Sequence, residues 1–170
     1  MDSESDQMKQ PRDPGALGPI RKPLLYVVHL WFRMKRGLTL GVRAAAFDDK
    51  GRVFLVRHTY VPGWQFPGGG VEVDETALEA MERELFEEGN VTLGAAPQLF
   101  GVYFNTRVTN RDHVLLYVCR DVRCQVPKVP DKEIAESGFF ALDALPENTT
   151  QATRQRLKEI AAEDEVQPLW

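Results

Sequence analysis

The feature that most constrains this chain is a single long helical pattern, Glu75 to Gly89, that comes shortly after a proline and three glycines, Pro67-Gly68-Gly69-Gly70. At about 100° per residue, Glu84, Glu87 and Glu88 fall at i, i+3 and i+4, with the last two about 60° and 40° to either side of the first. Three carboxylates therefore share one face. Leu78, Met81 and Leu85 make an adjacent apolar stripe, so the helix has a core side and a charged side. Three glutamates on a helix usually form a solvated face. The glycines change the weighing, because a backbone without side chains can approach closely and offer its carbonyl oxygens as ligands. Like-charged residues at i, i+4 repel one another, so a compensating cation is expected. Ligation by oxygen alone selects Mg²⁺ or Mn²⁺ over zinc.

The acids are concentrated in this region: of 25 in the chain, eight lie between Glu72 and Glu88, where Arg83 is the one base. The rest of the chain is mildly basic, an arrangement suited to divalent cations and an anionic small-molecule substrate. The net charge of −4 leaves no general basic footprint, which argues against bulk nucleic acid as a partner. A chain of 170 residues with 43% apolar composition can bury one ordinary globular core. The longest apolar run, Leu24 to Phe32, contains His29 and falls well short of the roughly 18 to 20 residues that cross a bilayer, so no membrane partner is expected. Two cysteines, Cys119 and Cys124, and a polar, acidic start with no signal-like segment predict a reduced, cytoplasmic setting. A zinc site built from that pair and His113 lacks a second ligand pair.

Along the chain, residues 1–20 have the composition of a disordered tail. Residues 21–36 are apolar in the middle and basic at both ends, and read as a flap on the same domain, a contact that makes a homodimer, or a membrane-surface helix. Leu38 to Phe47 and Arg52 to His58 are β-type segments joined by Asp48-Asp49-Lys50-Gly51, which predicts a hairpin. Gly63 to Gly70 reads as a loop. Gly101 to Asn105, His113 to Arg120 and Ser137 to Leu142 predict further strands, and Asn148 with Gln151 predicts the start of a C-terminal helix. Strands interleaved with two helices argue for an α/β or α+β fold.

From Gly69 the sequence runs five residues to Glu75, seven more, and then Arg83-Glu84-Leu85-Phe86-Glu87-Glu88-Gly89-Asn90-Val91. This resembles the Nudix box, G-x5-E-x7-R-E-U-x-E-E-x-G-U with U aliphatic, and departs from it only where Asn90 replaces the final glycine. Asparagine is the non-glycine residue most at ease in the left-handed conformation, so a helix C-cap survives the change. The resemblance implies a Nudix-type α/β/α sandwich with a mixed β-sheet over residues 37–165. It also implies hydrolysis of a diphosphate linkage in a nucleoside diphosphate joined to another group, with Mg²⁺ or Mn²⁺. Carried over by position, Glu84, Glu87 and Glu88 would be catalytic and metal-binding, the Gly68 carbonyl a backbone ligand, and Arg83 a structural partner of Glu75. Candidates for the base that takes a proton from water are Glu84, Glu133 and Glu136. Trp64, Tyr103 and Phe104 are candidates to stack on a base, and Arg43, Arg57, Arg107 and Arg111 to meet phosphates. The markers of the family's ADP-ribose and dinucleoside polyphosphate subgroups are absent at Asn105 to Val108, so no substrate is named. A catalytically silent, nucleotide-binding sensor of the same fold is the alternative.

Overall fold

Residues 37–107, 109–162 and 166–170 are described in the structure, a computed structural model. The tail expected over 1–20 and the apolar segment 21–36 lie outside these residues. The strands are β1 (Thr39–Ala46), β2 (Val53–His58), β3 (Trp64–Gln65), β4 (Val91–Leu93), β5 (Gln98–Asn105), β6 (Asp112–Cys119), β7 (Val122–Cys124) and β8 (Ile134–Phe140). The helices are α1 (Ala77–Gly89) and α2 (Gln151–Ala162). No helix among the described residues is long and apolar enough to cross a membrane.

One three-stranded sheet has the order β1-β6-β5, with β1 parallel to β6 and β5 antiparallel to it; a second, antiparallel throughout, has the order β3-β2-β8. Strand alternation sends side chains of both sheets to two opposite cores. Val42, Ala44, Ala46, Phe54 and Val56 meet Ala80, Met81 and Leu85 of α1. Ala45, Val53, Leu55, Leu116 and Val118 meet Leu157 and Ile160 of α2. The result is a mixed β layer between two helices.

The hairpin expected between β1 and β2 does not form. The turn chemistry is there: Asp48 Oδ1 accepts from the backbone of Lys50 and Arg52, and Gly51 takes φ 71°. A single bridge, Phe47 with Val53, follows, and the two strands then part into different sheets. β2 and the second half of β1, Ala44 to Ala46, are buried on both faces, as in the interior of an α/β protein, and local turn residues do not decide which partner such a strand takes. On its outer edge β1 pairs instead with the glycine loop: Val42 N–H donates to Gly69 O (2.9 Å), Ala44 N–H to Pro67 O (3.0 Å), and Val71 N–H to Leu40 O (2.9 Å).

Helix α1 opens on a reciprocal capping box, in which Thr76 Oγ1 accepts from Glu79 N–H and the Glu79 carboxylate accepts from Thr76 N–H. It ends on Asn90 in the left-handed region (φ 52°, ψ 30°), whose side-chain amide donates to Val126 O. At α2 the cap is Thr150, not Asn148: Thr150 Oγ1 accepts from Thr153 N–H. Near the end of the chain, Arg156 is buried and organises its surroundings. Its guanidinium pairs with Glu159 (2.6 Å), donates to Leu169 O (2.8 Å) and lies over the Tyr103 ring. Tyr103 Oη donates to Glu159, Trp170 packs edge-on against the Tyr103 ring, and burial raises the Tyr103 pKa.

Two stability measurements follow from this packing. Arg156→Met strands a buried carboxylate and should lower the unfolding free energy by about 3–5 kcal/mol in urea titrations. Asn90→Ala should cost about 1–2 kcal/mol, because it keeps a β-carbon in the left-handed region without the polar side chain that eases that conformation and bonds Val126 O, whereas Asn90→Gly should cost clearly less.

Candidate active site

The pairing of the glycine loop with β1 carries Gly68 and Gly69 to the acidic face of α1. Gly68 has φ 142°, and a β-carbon there would collide with the Val42 carbonyl. A β-carbon on Gly69 would collide with the Glu84 carboxylate, so that carboxylate lies directly against the loop backbone.

Arg83 ties loop to helix. Its Nε and Nη2 donate to the two oxygens of Glu75 (2.8 and 3.1 Å), Nη1 to Glu84 (2.8 Å) and Glu87 (3.3 Å), and Nη2 also to Gly70 O. Glu75 and then Glu84 raise the Arg83 pKa, and Arg83 in turn lowers that of Glu75. Arg43, on β1, is half-buried and donates through Nη1 to Phe66 O (3.0 Å) and Gly68 O (2.7 Å). Burial lowers its pKa, and the nearby charges of Glu88 and Glu84 oppose that shift. The Gly68 carbonyl thus has one hydrogen bond, and an oxygen with two lone pairs retains one for another partner.

The three glutamates sit in different environments. Glu87 is exposed. Glu84 is largely covered: burial raises its pKa, Glu88 and Glu87 push the same way, and Arg83 only partly offsets them. Glu88 is 4% exposed, with Oε2 accepting from Gly68 N–H (2.9 Å) and Oε1 from His58 Nε2 (2.6 Å). His58, 5% exposed, is in turn 2.8 Å from Gln65 Nε2 through its Nδ1. Glu133, from the loop before β8, brings its carboxylate to the exposed side of this group, where ligand atoms of His58, Glu88 and Glu133 lie within 4.8 Å of one another. Tyr60 Oη donates to Glu133 (3.1 Å).

Sequence reasoning missed His58 and Gln65. The signal was available in the strand period, because His58 shares parity with Phe54 and Val56, which face α1. Arg57 pairs with Glu136 on the sheet of β2 and β8 (2.8 Å), and this interaction lowers the Glu136 pKa. Trp64 packs edge-on against Phe140, and Phe104 against His113, while the Phe104 backbone pairs with Pro168 and Trp170. Both rings are thus engaged in packing. A cavity of about 420 Å³ lined by Phe54, Cys124, Lys128 and Phe139 includes none of the three carboxylates among its lining residues.

The direction of the Glu84 shift makes a prediction. A carboxyl with a raised folded-state pKa is one whose charge opposes folding, so its effect is greatest above that pKa and vanishes below the unfolded value. Glu84→Gln should therefore raise the unfolding midpoint of metal-free protein at pH 7.5, with the gain shrinking as the pH falls towards about 4, near the unperturbed carboxyl pKa.

Comparison with known proteins adds an independent line. A family model described as NUDIX domain matches residues 37–160. The fold resembles that of a MutT NUDIX hydrolase from Burkholderia pseudomallei, with TM-score 0.61 and 29% identity, over 72% of this chain and 97% of that one. It also resembles an ADP-ribose pyrophosphatase from Streptococcus suis, with TM-score 0.53 and 25% identity, over 75% of this chain and 94% of that one. Among curated proteins, an RNA pyrophosphohydrolase of Xanthomonas campestris pv. campestris is 40% identical over 82 residues, covering 45% of this chain and 40% of that protein. One from Halorhodospira halophila is 55% identical over 49 residues, covering 29% and 26%. The chain spans less than half the length of these curated relatives. With the box residues gathered around the glycine loop and a family model matched over most of its length, the chain belongs to the Nudix family.

Proposed function

We propose that the protein is a divalent-metal-dependent pyrophosphohydrolase, cleaving a diphosphate linkage in a nucleoside diphosphate joined to another group. The observation that carries this reading is the Glu84 carboxylate, held against a side-chain-free backbone beside two further carboxylates that make its charge costly. An all-oxygen cluster of that kind fits a hard cation. The residues that would hold Mg²⁺ or Mn²⁺ are Glu84, Glu87, Glu88 and the Gly68 carbonyl. Such an ion neutralises phosphate charge and makes a bound water more acidic.

The chain's own groups supply the remaining requirements. A base must accept a proton near neutral pH, and burial moves Glu84 in that direction. Glu136 is shifted the opposite way by Arg57 and is the weaker candidate. Glu133, beside His58 and Glu88, is the second choice. Arg43, half-buried behind the glycine loop, contributes positive potential to the site where phosphate would lie, and Arg57 is the candidate for a direct phosphate contact. Arg83 acts structurally through Glu75. Trp64 and Phe104, engaged in packing, are set aside as base-stacking groups. Because Asn90 caps α1 in the left-handed conformation that a glycine would adopt, it gives the silent-sensor reading no support. The free thiols Cys119 and Cys124 are compatible with the reducing cytoplasm, the setting proposed for this activity.

The test is product release from nucleoside triphosphates, ADP-ribose, sugar nucleotides, dinucleoside polyphosphates and a 5′-triphosphorylated RNA oligonucleotide, with Mg²⁺, Mn²⁺ or excess chelator. The RNA substrate is included because of the names of the curated relatives. Turnover should require metal and fall about a hundredfold or more in Glu87→Gln and Glu88→Gln while both variants remain folded. Metal at 100 times its Kd should add about 2.7 kcal/mol to the unfolding free energy. Wild-type turnover in both variants, or turnover undiminished by chelator, would overturn the reading.

A further inference from the structure

The hydrogen bonds around Glu88 form a continuous line through three elements. Gln65 lies on β3, where it is in register with Val56 of β2. His58 follows an irregularity in the β2–β8 pairing between Arg57 and His58. Glu88 lies in the last turn of α1, and beyond it the line ends at Gly68 N–H.

With an ionised carboxylate and a neutral imidazole, one direction satisfies each bond. An ionised carboxylate only accepts, so the 2.6 Å contact requires a proton on His58 Nε2. In a neutral imidazole this leaves Nδ1 as an acceptor, and the amide nitrogen of Gln65 stands 2.8 Å from it as a donor. The Glu88 carboxylate thereby selects the Nε2–H tautomer, and the Gln65 amide, donating to Nδ1, holds the ring in that orientation. With Gly68 N–H on Oε2 and His58 on Oε1, the carboxylate is clamped at both oxygens, each of which keeps a lone pair.

We propose that Gln65 and His58 are positioning residues for divalent-cation binding: Gln65 holds the imidazole ring in place through Nδ1, and the histidine holds Glu88 in the orientation used towards the ion. This rests on the metal-dependent reading of the site given above. The imidazole is a hydrogen-bond donor in this role and is not itself a ligand. Outer partners of ligating groups typically alter metal affinity 10- to 100-fold when removed.

The experiment uses the full chain and Mn²⁺ alone, with free Mn²⁺ followed by electron paramagnetic resonance, so that the binding readout is independent of substrate. Thermal melts identify which variants are folded. His58→Leu should weaken Mn²⁺ binding about 10- to 100-fold. His58→Gln, which can place an amide N–H near the former Nε2 position, should restore binding to within about threefold of wild type. Gln65→Leu should weaken binding about tenfold in the wild-type background and have no further effect in His58→Gln, because no imidazole ring remains to be held. Should His58→Leu fail to fold, Gln65→Leu and the double variant carry the same test.

Equal Mn²⁺ affinity in wild type and the folded variants would overturn the relay and leave the hydrolase reading intact. Loss in His58→Leu with no loss in Gln65→Leu would remove Gln65 from the relay and also overturn it. Failure of the unmodified protein to bind Mn²⁺ would overturn both proposals. Binding that follows the expected variant pattern in a protein without turnover would support the relay and remove the hydrolase reading.

Discussion

Hydrogen bonds from the outer edge of β1 to the carbonyls of Pro67 and Gly69 set the path of the glycine loop, and the site depends on that path. An exposed strand edge presents unpaired donors and acceptors, and here they are taken up by a segment of the same chain. Because the loop follows the strand closely, Gly68 sits against the Val42 carbonyl where no side chain fits. Because the loop then passes over α1, its backbone meets Glu84 on one side and Glu88 on the other. The glycines thus serve the sheet edge and the acidic face together.

Electrostatics supplies the second constraint. Three carboxylates on one helical face repel, and the structure distributes that cost among unlike partners. Arg83 spans Glu75, Glu84 and Glu87 from the flank; Arg43 approaches from behind the loop; Glu88 is held by the Gly68 N–H and the His58 imidazole. At Glu84 burial raises the pKa, and Glu88 and Glu87 add to the shift although Arg83 bonds the carboxylate.

Much of this was legible in the sequence, because the information was local. The 3.6-residue period placed Glu84, Glu87 and Glu88 on one face, and Asn90 stood where a left-handed residue was needed. Expectations failed where distant partners decide. Asp48 and Gly51 do make the turn between β1 and β2, yet pairing with β6 and the glycine loop separates the two strands. The two-residue β3 and the three-residue β4 and β7 carry too few residues for any periodicity, and are strands only because of what lies beside them. Trp64 and Phe104 drew attention as aromatics near a cleft, and packing claims both. His58 closes an apolar run in which it resembles another core residue. Only the position of α1 over that face turns it towards a carboxylate.

The parallel pairing of β1 with β6 also bears on how the chain assembles. Thr39 and Asp112, joined side chain to side chain at the start of that ladder, are 73 residues apart. Contacts of such long range incur loop-closure entropy before they return any stabilisation, and they tend to form slowly. During synthesis β1 leaves the ribosome well before β6 exists, whereas the glycine loop that pairs with its other edge follows much sooner. The local arrangement of β1, glycine loop and α1 can thus begin to form first, shielding one edge of a very apolar strand while the other waits for its partner. The segment that shapes the acidic site would then also guard the nascent chain against pairing with a neighbour.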